Sequence, residues 1–277
     1  MLELERAAAA HWRGTEEEWL GEWLLRAADG FTGRANSALP LGDPGLPLDE
    51  ALDHVTSWYR ARGLPAMMAV PLPLPPADDA PALGLDAELA GRDWATRPGP
   101  AFVMVADLPL AVAGGGLSDD AQVADDAQVA AGGEVAAGAV VAADAEPDEG
   151  WIAAYHYRGT DRQPPVLRDV LTSAREQAFI SIRAESGVLA IARLSLAGGW
   201  AGITAVEVDP ARRRAGLGLA ITAAACAEAV GRGVRQVFLQ VAVDNAGARA
   251  LYERCGFRYS HRYHYRVAPA SGAFSLS

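Results

Sequence analysis

The stretch VEVDPARRRAGLG, residues 206–218, decides the fold of the second half of this chain. An apolar strand runs into Asp-Pro, then into three arginines and two glycines, and a long alanine-rich helix follows. The first N–H groups of a helix have no partner within the helix and carry partial positive charge, so they bind phosphate well. Gly216 and Gly218 let the backbone approach an anion closely because they lack side chains. The pattern predicts a strand–turn–helix unit that holds a pyrophosphate.

A second group of residues follows downstream. Residues 236–243 read as a strand, and Asn245 precedes a short helix over 246–255 that ends in Gly-Phe. The Arg-x-x-Gly-x-Gly run at 213–218, followed by this Asn…Leu-Tyr…Gly-Phe pattern, resembles the two-part motif of the GCN5-related N-acetyltransferases (GNAT). The resemblance covers residues 150–268 and implies an α/β (α+β) fold, in which a mixed, mostly antiparallel sheet is flanked by helices.

By this resemblance the cosubstrate is acetyl-CoA, and the turn binds its pyrophosphate. The strand ending at Val208 is expected to part from its neighbour, so that the free edge groups near Val206 and Val208 pair with the pantetheine amides. Asn245 is expected to hydrogen-bond the pantetheine arm. The rest of the expected cosubstrate site lies in the turn itself, at Arg213, Arg214, Ala215, Gly216, Leu217 and Gly218.

The resemblance also assigns Tyr252 as the proton donor to the departing thiolate, and an unperturbed pKa of about 10 suits a donor better than a base. A general base must take the proton of the attacking amine. Glu207 lies on the strand leading into the turn, although alternation places it on the opposite face from both neighbouring valines. His261 and His264 lie on the last predicted strand, and histidine titrates near neutrality. The base therefore stays open among these three side chains.

Each of these residues also has a structural interpretation. Asn245 is a good N-cap for the helix that follows it. Tyr252 fits a core aromatic position on that helix, and Gly256 fits a C-terminal cap. The Arg212–Arg214 triplet, taken alone, is typical of a solvated basic turn, and only its place before Gly-x-Gly favours phosphate contact. The sequence predicts no metal site.

The chain divides by composition. Residues 108–149 are rich in Ala, Gly and acidic residues and contain no aromatic residue, which predicts a flexible linker because such a segment cannot bury enough surface to offset its ordering entropy. The linker separates an N-terminal domain (1–107) from the acetyltransferase domain (150–268), and 269–277 is predicted to be a disordered tail. This layout resembles the tandem-domain acetyltransferases, which include mycothiol synthase-like and N-acetylglutamate synthase-like proteins.

The N-terminal half shows a fainter version of the same order of elements, which predicts a second, degenerate GNAT-like domain. The connection at 42–48, where the phosphate turn would stand, has no arginine and is followed by acidic residues, so it is expected not to bind coenzyme A. Residues 2–10, 15–20, 48–62 and 82–91 read as helices, and 23–26, 32–41, 65–73 and 101–106 as strands.

Composition narrows the function classes. The formal net charge of −11 argues against a nucleic-acid-binding surface, and no apolar run reaches the length of a membrane span. Two cysteines without metal-ligand spacing indicate a reducing, cytoplasmic setting. The expected activity is transfer of acetyl from acetyl-CoA to a small-molecule amine by direct attack, with a homodimer left open. Two alternatives remain: acetylation of an amino acid, specifically glutamate, and a catalytically silent acyl-CoA sensor.

Overall fold

A computed structural model describes residues 1–75, 81–110, 139–156 and 163–269 of this chain. Its residues form two compact units that interleave along the sequence. Of the described residues, the first unit contains 1–75, 81–102, 164–173 and 260–269, and the second contains 103–110, 139–156, 163 and 174–259. The sequence predicted consecutive domains at 1–107 and 150–268, whereas here segments from the C-terminal half group with the N-terminal unit. Those predicted domain boundaries stay a prediction.

The first unit combines a small antiparallel sheet with helices. Strands β1 (Glu16–Leu20), β2 (Trp23–Ala27) and β3 (Leu39–Pro40) form this sheet, and β4 (Met67–Leu72) pairs antiparallel along its whole length with residues 262–267 of β11 (Arg258–Val267). Its elements are α1 (Leu2–Ala9), β1 (Glu16–Leu20), β2 (Trp23–Ala27), β3 (Leu39–Pro40), α2 (Leu48–Arg60), β4 (Met67–Leu72), α3 (Pro81–Gly91), the first part of β5 (Ala95–Asp107), α5 (Leu167–Leu171) and most of β11 (Arg258–Val267).

Two predicted elements of this unit are wrong. Residues 15–20 are not helical, because Gly21, at φ 54°, makes a tight turn that pairs Glu16–Leu20 with β2. Residues 32–41 do not form a long strand, because the Asn36 amide bonds the backbone of residues 28–32 and folds that segment into a compact loop. Only Leu39–Pro40 pairs with β2.

The second unit is built on one sheet, in the order β5, β10 (Gln236–Ala242), β9 (Trp200–Val208), β8 (Gly187–Ala197), β7 (Glu176–Ala184) and β6 (Val140–Asp144). Neighbours from β9 to β6 run antiparallel, and β9–β10 is parallel. The elements, beyond the last residues of β5, are β6 (Val140–Asp144), α4 (Glu149–Ala153), β7 (Glu176–Ala184), β8 (Gly187–Ala197), β9 (Trp200–Val208), α6 (Leu217–Gly231), β10 (Gln236–Ala242) and α7 (Ala246–Arg254).

The predicted linker is only partly open to comparison. Residues 111–138 lie outside the described residues, as does 270–277 of the predicted tail. Within 139–149, however, Val140–Asp144 is not linker but an edge strand, whose ladder with β7 runs from Val140–Arg183 to Asp144–Phe179. This part of the linker prediction is therefore wrong. No helix among the described residues is long and apolar enough to cross a membrane.

The core of the second unit explains how the turn after β9 is positioned. The small alanine side chains of α6 let this helix pack closely on β7, β8 and β9, and the helix residues that face the sheet are buried. On the same unit, the Trp151 indole lies edge-on to Phe179 at 5.0 Å and donates to the carbonyl of Ile180. The turn is therefore fixed at both ends, by strand β9 of the sheet before it and by the buried helix α6 after it.

Candidate acetyltransferase site

A bulge in β9 opens the site. The register with β8 pairs Thr204 with Arg193 and Glu207 with Ile191, so β9 contains one more residue than β8 between these two pairs. Ala205 lies in the left-handed region, at φ 53°, which is uncommon for a residue with a side chain. Such a bulge bends the strand and raises its twist. It also keeps Thr204 and Glu207 on one face, although they are an odd number of residues apart.

Beyond the bulge, β9 leaves β10. The parallel ladder joins Trp200–Ile203 to Gln236–Leu239 and ends there among the described pairings. The continuation of β9 to Val208 stays paired with β8 on its other side. Backbone groups of β9 that face away from β8 therefore line a gap between two diverging strands. The sequence predicted this parting at Val206 and Val208, and an extended chain with amide groups can add to such an edge.

The turn after β9 has the backbone conformation that an anion site needs. The Asp209 carboxylate caps a single 3₁₀ turn, Pro210–Arg212, by accepting from the N–H of Ala211. Arg214 then takes φ 69° and Gly216 takes φ 81°, where Gly216 forms the N-cap of α6 without a side-chain cap. Helix N–H groups that precede the first intrahelical bond point out of the helix end. The turn is exposed, so a solute can reach them.

The members of the turn differ in what they contact. Arg213, Arg214 and Ala215 are exposed, whereas Leu217 is buried and anchors the start of α6. Gly218 has a packing role that the sequence did not suggest. A Cβ at this position would lie 2.9 Å from Cδ1 of Leu251, so the absence of a side chain lets α6 and α7 approach. Gly216 thus serves the turn, and Gly218 serves the helix contact.

The two catalytic candidates of this unit lie within electrostatic reach of each other. Tyr252 is buried on α7, with its ring edge-on to Phe257 at 5.8 Å. Burial raises the pKa of Tyr252 strongly, and the charges of Cys255 and Glu207 raise it further. Burial also raises the pKa of the half-buried Glu207, against the opposing charges of His156 and Arg213. A neutral phenol and a carboxyl of increased basicity suit a proton donor and a proton acceptor.

His156 lies within electrostatic range of Glu207, which the sequence did not reveal. It follows α4 and is half-buried, and its charge acts on Glu207. The sequence shows only a histidine between two tyrosines after a short helix, with no motif to mark it. Because α4 and β9 are far apart along the chain, only the fold brings this imidazole to the carboxylate.

Asn245 is an N-cap in the structure, as one of its two interpretations predicted. Its side-chain oxygen accepts from the N–H of Ala248 at 3.0 Å, at the start of α7. The residue is exposed, and its other expected contact, with the pantetheine arm, stays a prediction.

The two histidines of β11 belong to the first unit, and carboxylates hold both. His261 is 1% exposed, and its Nε2 lies 2.7 Å from Oε1 of Glu5 on α1. His264 shares the Asp86 carboxylate with Arg266, so these two side chains lie on one face of the strand. These contacts favour structural roles and leave Glu207 as the better supported base. Within the described residues, no group of His, Cys, Asp and Glu side chains is arranged to hold a metal ion.

Comparison with known proteins places the chain in a family. The profile of the family described as "Probable histone acetyltransferase Rv0428c C-terminal" matches residues 1–114 and 117–266. The chain belongs to this family. The description of the family names the activity that the motifs predicted. The Rv0428c-family protein described here is therefore an enzyme, an acetyltransferase of the GNAT type.

Two relatives align along nearly the whole of this chain. "Probable histone acetyltransferase Rv0428c" of Mycobacterium tuberculosis is 29% identical over 97% of this chain and 74% of its own length. "Uncharacterized N-acetyltransferase YobR" of Bacillus subtilis is 25% identical over 95% of this chain and 97% of its own. A mycothiol acetyltransferase of Amycolatopsis mediterranei is 48% identical, but over only 19% of this chain and 17% of its own.

Solved structures show the same fold. A GCN5-related N-acetyltransferase from Kribbella flavida superposes with a TM-score of 0.62, at 19% identity, over 93% of this chain and 91% of its own. A tandem GNAT protein from the clavulanic acid biosynthesis pathway superposes with a TM-score of 0.60, at 19% identity, over 85% and 76%. These likenesses confirm the predicted fold class, two GNAT-like domains of mixed sheet and flanking helices.

Proposed function

We propose that this enzyme transfers the acetyl group of acetyl-CoA to a small-molecule amine by direct attack. One observation carries the proposal: an exposed turn with left-handed residues at Arg214 and Gly216 precedes α6, directly after a strand whose edge is open. The helix end offers N–H donors to a pyrophosphate, and the open edge offers backbone groups to the amides of an extended arm. The pyrophosphate and the pantetheine arm of acetyl-CoA can therefore bind to adjacent elements, the start of α6 and the open edge of β9.

Within this proposal, the backbone of the turn does the binding and the arginines support it. The N–H groups of Leu217 and Gly218 accompany those of Arg214–Gly216 toward the pyrophosphate, and the exposed Arg213 adds charge. Backbone groups near Val206 and Val208 take the pantetheine amides. Asn245, already fixed as a cap, stands at the start of α7, where its amide nitrogen can meet the same arm.

Acetyl-CoA supplies the thioester. Glu207 removes the proton of the amine, directly or through water, and its raised pKa makes it a stronger base than an exposed carboxylate. N–H groups of β9 near Val208 stabilise the charge that develops on the carbonyl oxygen. Tyr252, kept neutral by burial, gives its proton to the leaving sulfur. The charge of His156 acts on the Glu207 carboxylate and favours its ionised form.

The acceptor is the least constrained part of the proposal. Small amines are the first choice, and glutamate is the alternative that requires a cationic pocket. The name of the Mycobacterium tuberculosis relative, a probable histone acetyltransferase, adds a protein amine as a third acceptor. A silent acyl-CoA sensor is disfavoured because such a protein needs neither a neutral phenol nor a basic carboxyl beside its ligand. Retention of both Tyr252 and Glu207 in one unit therefore supports turnover.

Free-thiol release with acetyl-CoA tests the proposal against a panel of small amines, glutamate and a lysine-containing histone-tail peptide. Turnover with small amines is expected. Tyr252→Phe keeps the buried ring but removes the proton, so kcat should fall about 10²-fold or more while the Kd of acetyl-CoA stays within a factor of about two. Tight acetyl-CoA binding without turnover on any acceptor would support the sensor, and wild-type turnover in Tyr252→Phe would remove this residue from the mechanism.

A further inference from the structure

Glu207 lies on one particular face of the sheet of the second unit. Phe179 on β7 pairs directly with Arg193 on β8, and Arg193 pairs with Thr204 on β9. Residues that are directly opposite each other on neighbouring strands share a face, so these three side chains lie on one side of the sheet. The bulge at Ala205 keeps Glu207 on the face of Thr204. The general-base candidate and the Phe179 ring are therefore on the same side.

Helix α4 packs on this same face and is followed by His156. The Trp151 indole of α4 meets the Phe179 ring edge-on at 5.0 Å. The Tyr155 ring, just after the helix, stacks on Trp151 with 6.0 Å between the ring centres. His156 is the next residue along the chain and is half-buried. It therefore follows directly from a segment that aromatic contacts anchor on the face that carries Glu207.

Two cations act on the Glu207 carboxylate, and they differ in kind. Burial raises the pKa of Glu207, and the charges of His156 and Arg213 oppose this increase. Tyr252 is also within electrostatic range of Glu207, but burial raises the pKa of its phenol so strongly that it stays neutral. An arginine keeps its charge at every working pH, whereas an imidazole gains or loses its charge near neutrality. His156 is therefore the member of this cluster through which pH can act on the carboxylate.

We propose that His156 is a positioning residue for Glu207, whose imidazolium holds the carboxylate in its ionised form below neutral pH, where the buried group would otherwise keep its proton. The inference rests on the proposed function, in which Glu207 takes the proton of the acceptor amine. Opposite charges at short range favour each other's charged form. His156 keeps its own proton throughout, which separates its role from that of a base, and it extends activity to a lower pH.

Titration of Glu207 tests this coupling without using activity. The full chain is isotope-labelled at the glutamate carboxyl carbons and followed by NMR, and Glu207→Gln identifies the resonance by its disappearance. His156→Gln removes the cation and should raise the titration midpoint of Glu207 by about one pH unit, the lower end of what a close opposite charge contributes. His156→Lys restores a positive charge and should return the midpoint to the wild-type value or below it. An unchanged midpoint in His156→Gln would overturn the proposal.

The pH dependence of kcat/KM then connects the coupling to turnover. In His156→Gln the acidic limb should move up with the Glu207 midpoint, so that activity below the wild-type limb falls about tenfold, whereas the Kd of acetyl-CoA stays unchanged. His54→Gln removes a partly exposed imidazole from the first unit and should leave the limb where it is. A purely structural role of His156 would lower kcat at every pH without moving the limb, and that result would contradict the inference.

The two measurements separate this inference from the proposed function. A shifted Glu207 midpoint in a protein without turnover on any acceptor would support the coupling and overturn the acetyl-transfer proposal. Turnover with an acidic limb that does not respond to His156→Gln would support acetyl transfer and overturn the role of His156. Should His156→Gln fail to fold, His156→Lys supplies the test, because a midpoint above the wild-type value in that variant would also overturn the proposal.

Discussion

Gly216→Asp is the sharpest perturbation of the proposed acetyl-CoA site. Gly216 takes φ 81° at the N-cap of α6, and a residue with a side chain in that region costs about 1–2 kcal/mol. A carboxylate about 4 Å from one phosphate charge adds about 4 kcal/mol of repulsion at an effective dielectric constant near 20. The strain acts on the folded turn with and without ligand, so the repulsion alone, about 4 kcal/mol, sets the loss of affinity at about a thousandfold.

Titration calorimetry with acetyl-CoA measures this loss, and two variants divide it. Gly216→Ala adds the backbone strain without the charge, so it should lower the stability of the protein more than it weakens binding. Gly199→Asp places the same charge at another glycine of the same unit, at φ 79°, where an added Cβ would meet no atom within 4 Å, and it should leave affinity unchanged. Equal affinities for Gly216→Asp and Gly199→Asp would refute the assignment of the turn.

The remaining predictions concern a base, an ion pair and a close contact. Burial raises the pKa of Glu207 above its usual 4.5, so the acidic limb of kcat/KM should lie above that pH, with activity lost as pH falls, and Glu207→Gln should abolish the limb. Burial raises the pKa of Asp86, but its bonds to Arg266 and His264 outweigh burial and leave that pKa below 3.8. The stability that the Asp86 carboxylate contributes is therefore present above pH 3.8 and is lost as the pH falls further. Asp86→Asn should lower the free energy of unfolding in urea by about 2 kcal/mol at pH 7, and by much less in strong acid. Gly33→Ala should cost about 1–3 kcal/mol through overlap with Tyr265, whereas Gly91→Ala, with open space at its Cβ, should not destabilise.

The second unit could be predicted well from the sequence because its signals are local. The strand before the turn ends at Val208, as predicted, and the helix after the glycines begins at Leu217, where a glycine N-cap stands before an alanine run. The Tyr252 helix begins after Asn245 because that side chain caps it. In each case the deciding interaction joins residues a few positions apart, which a sequence pattern records.

The errors arise where distant residues decide. Glu16–Leu20 is a strand because β2 offers it a partner across a two-residue turn, and composition alone does not show that partner. His156 reaches Glu207 only through the packing of α4 on the sheet, and His261 is occupied by Glu5 from the opposite end of the chain. The left-handed Ala205 has no sequence signal, since alanine rarely adopts that conformation.

In the proposed acetyl-CoA site, the extra residue at Ala205 makes the space for the donor depend on the length of β9 as well as on its side chains. Deleting it would leave Thr204 and Glu207 on the face they share now, and every motif residue would survive. The straightened strand would nevertheless be free to continue beside β10, filling the room in which the pantetheine arm is proposed to lie. A homologue shortened by this one position would therefore keep every motif residue and still lack the gap between β9 and β10 in which acetyl-CoA is proposed to bind.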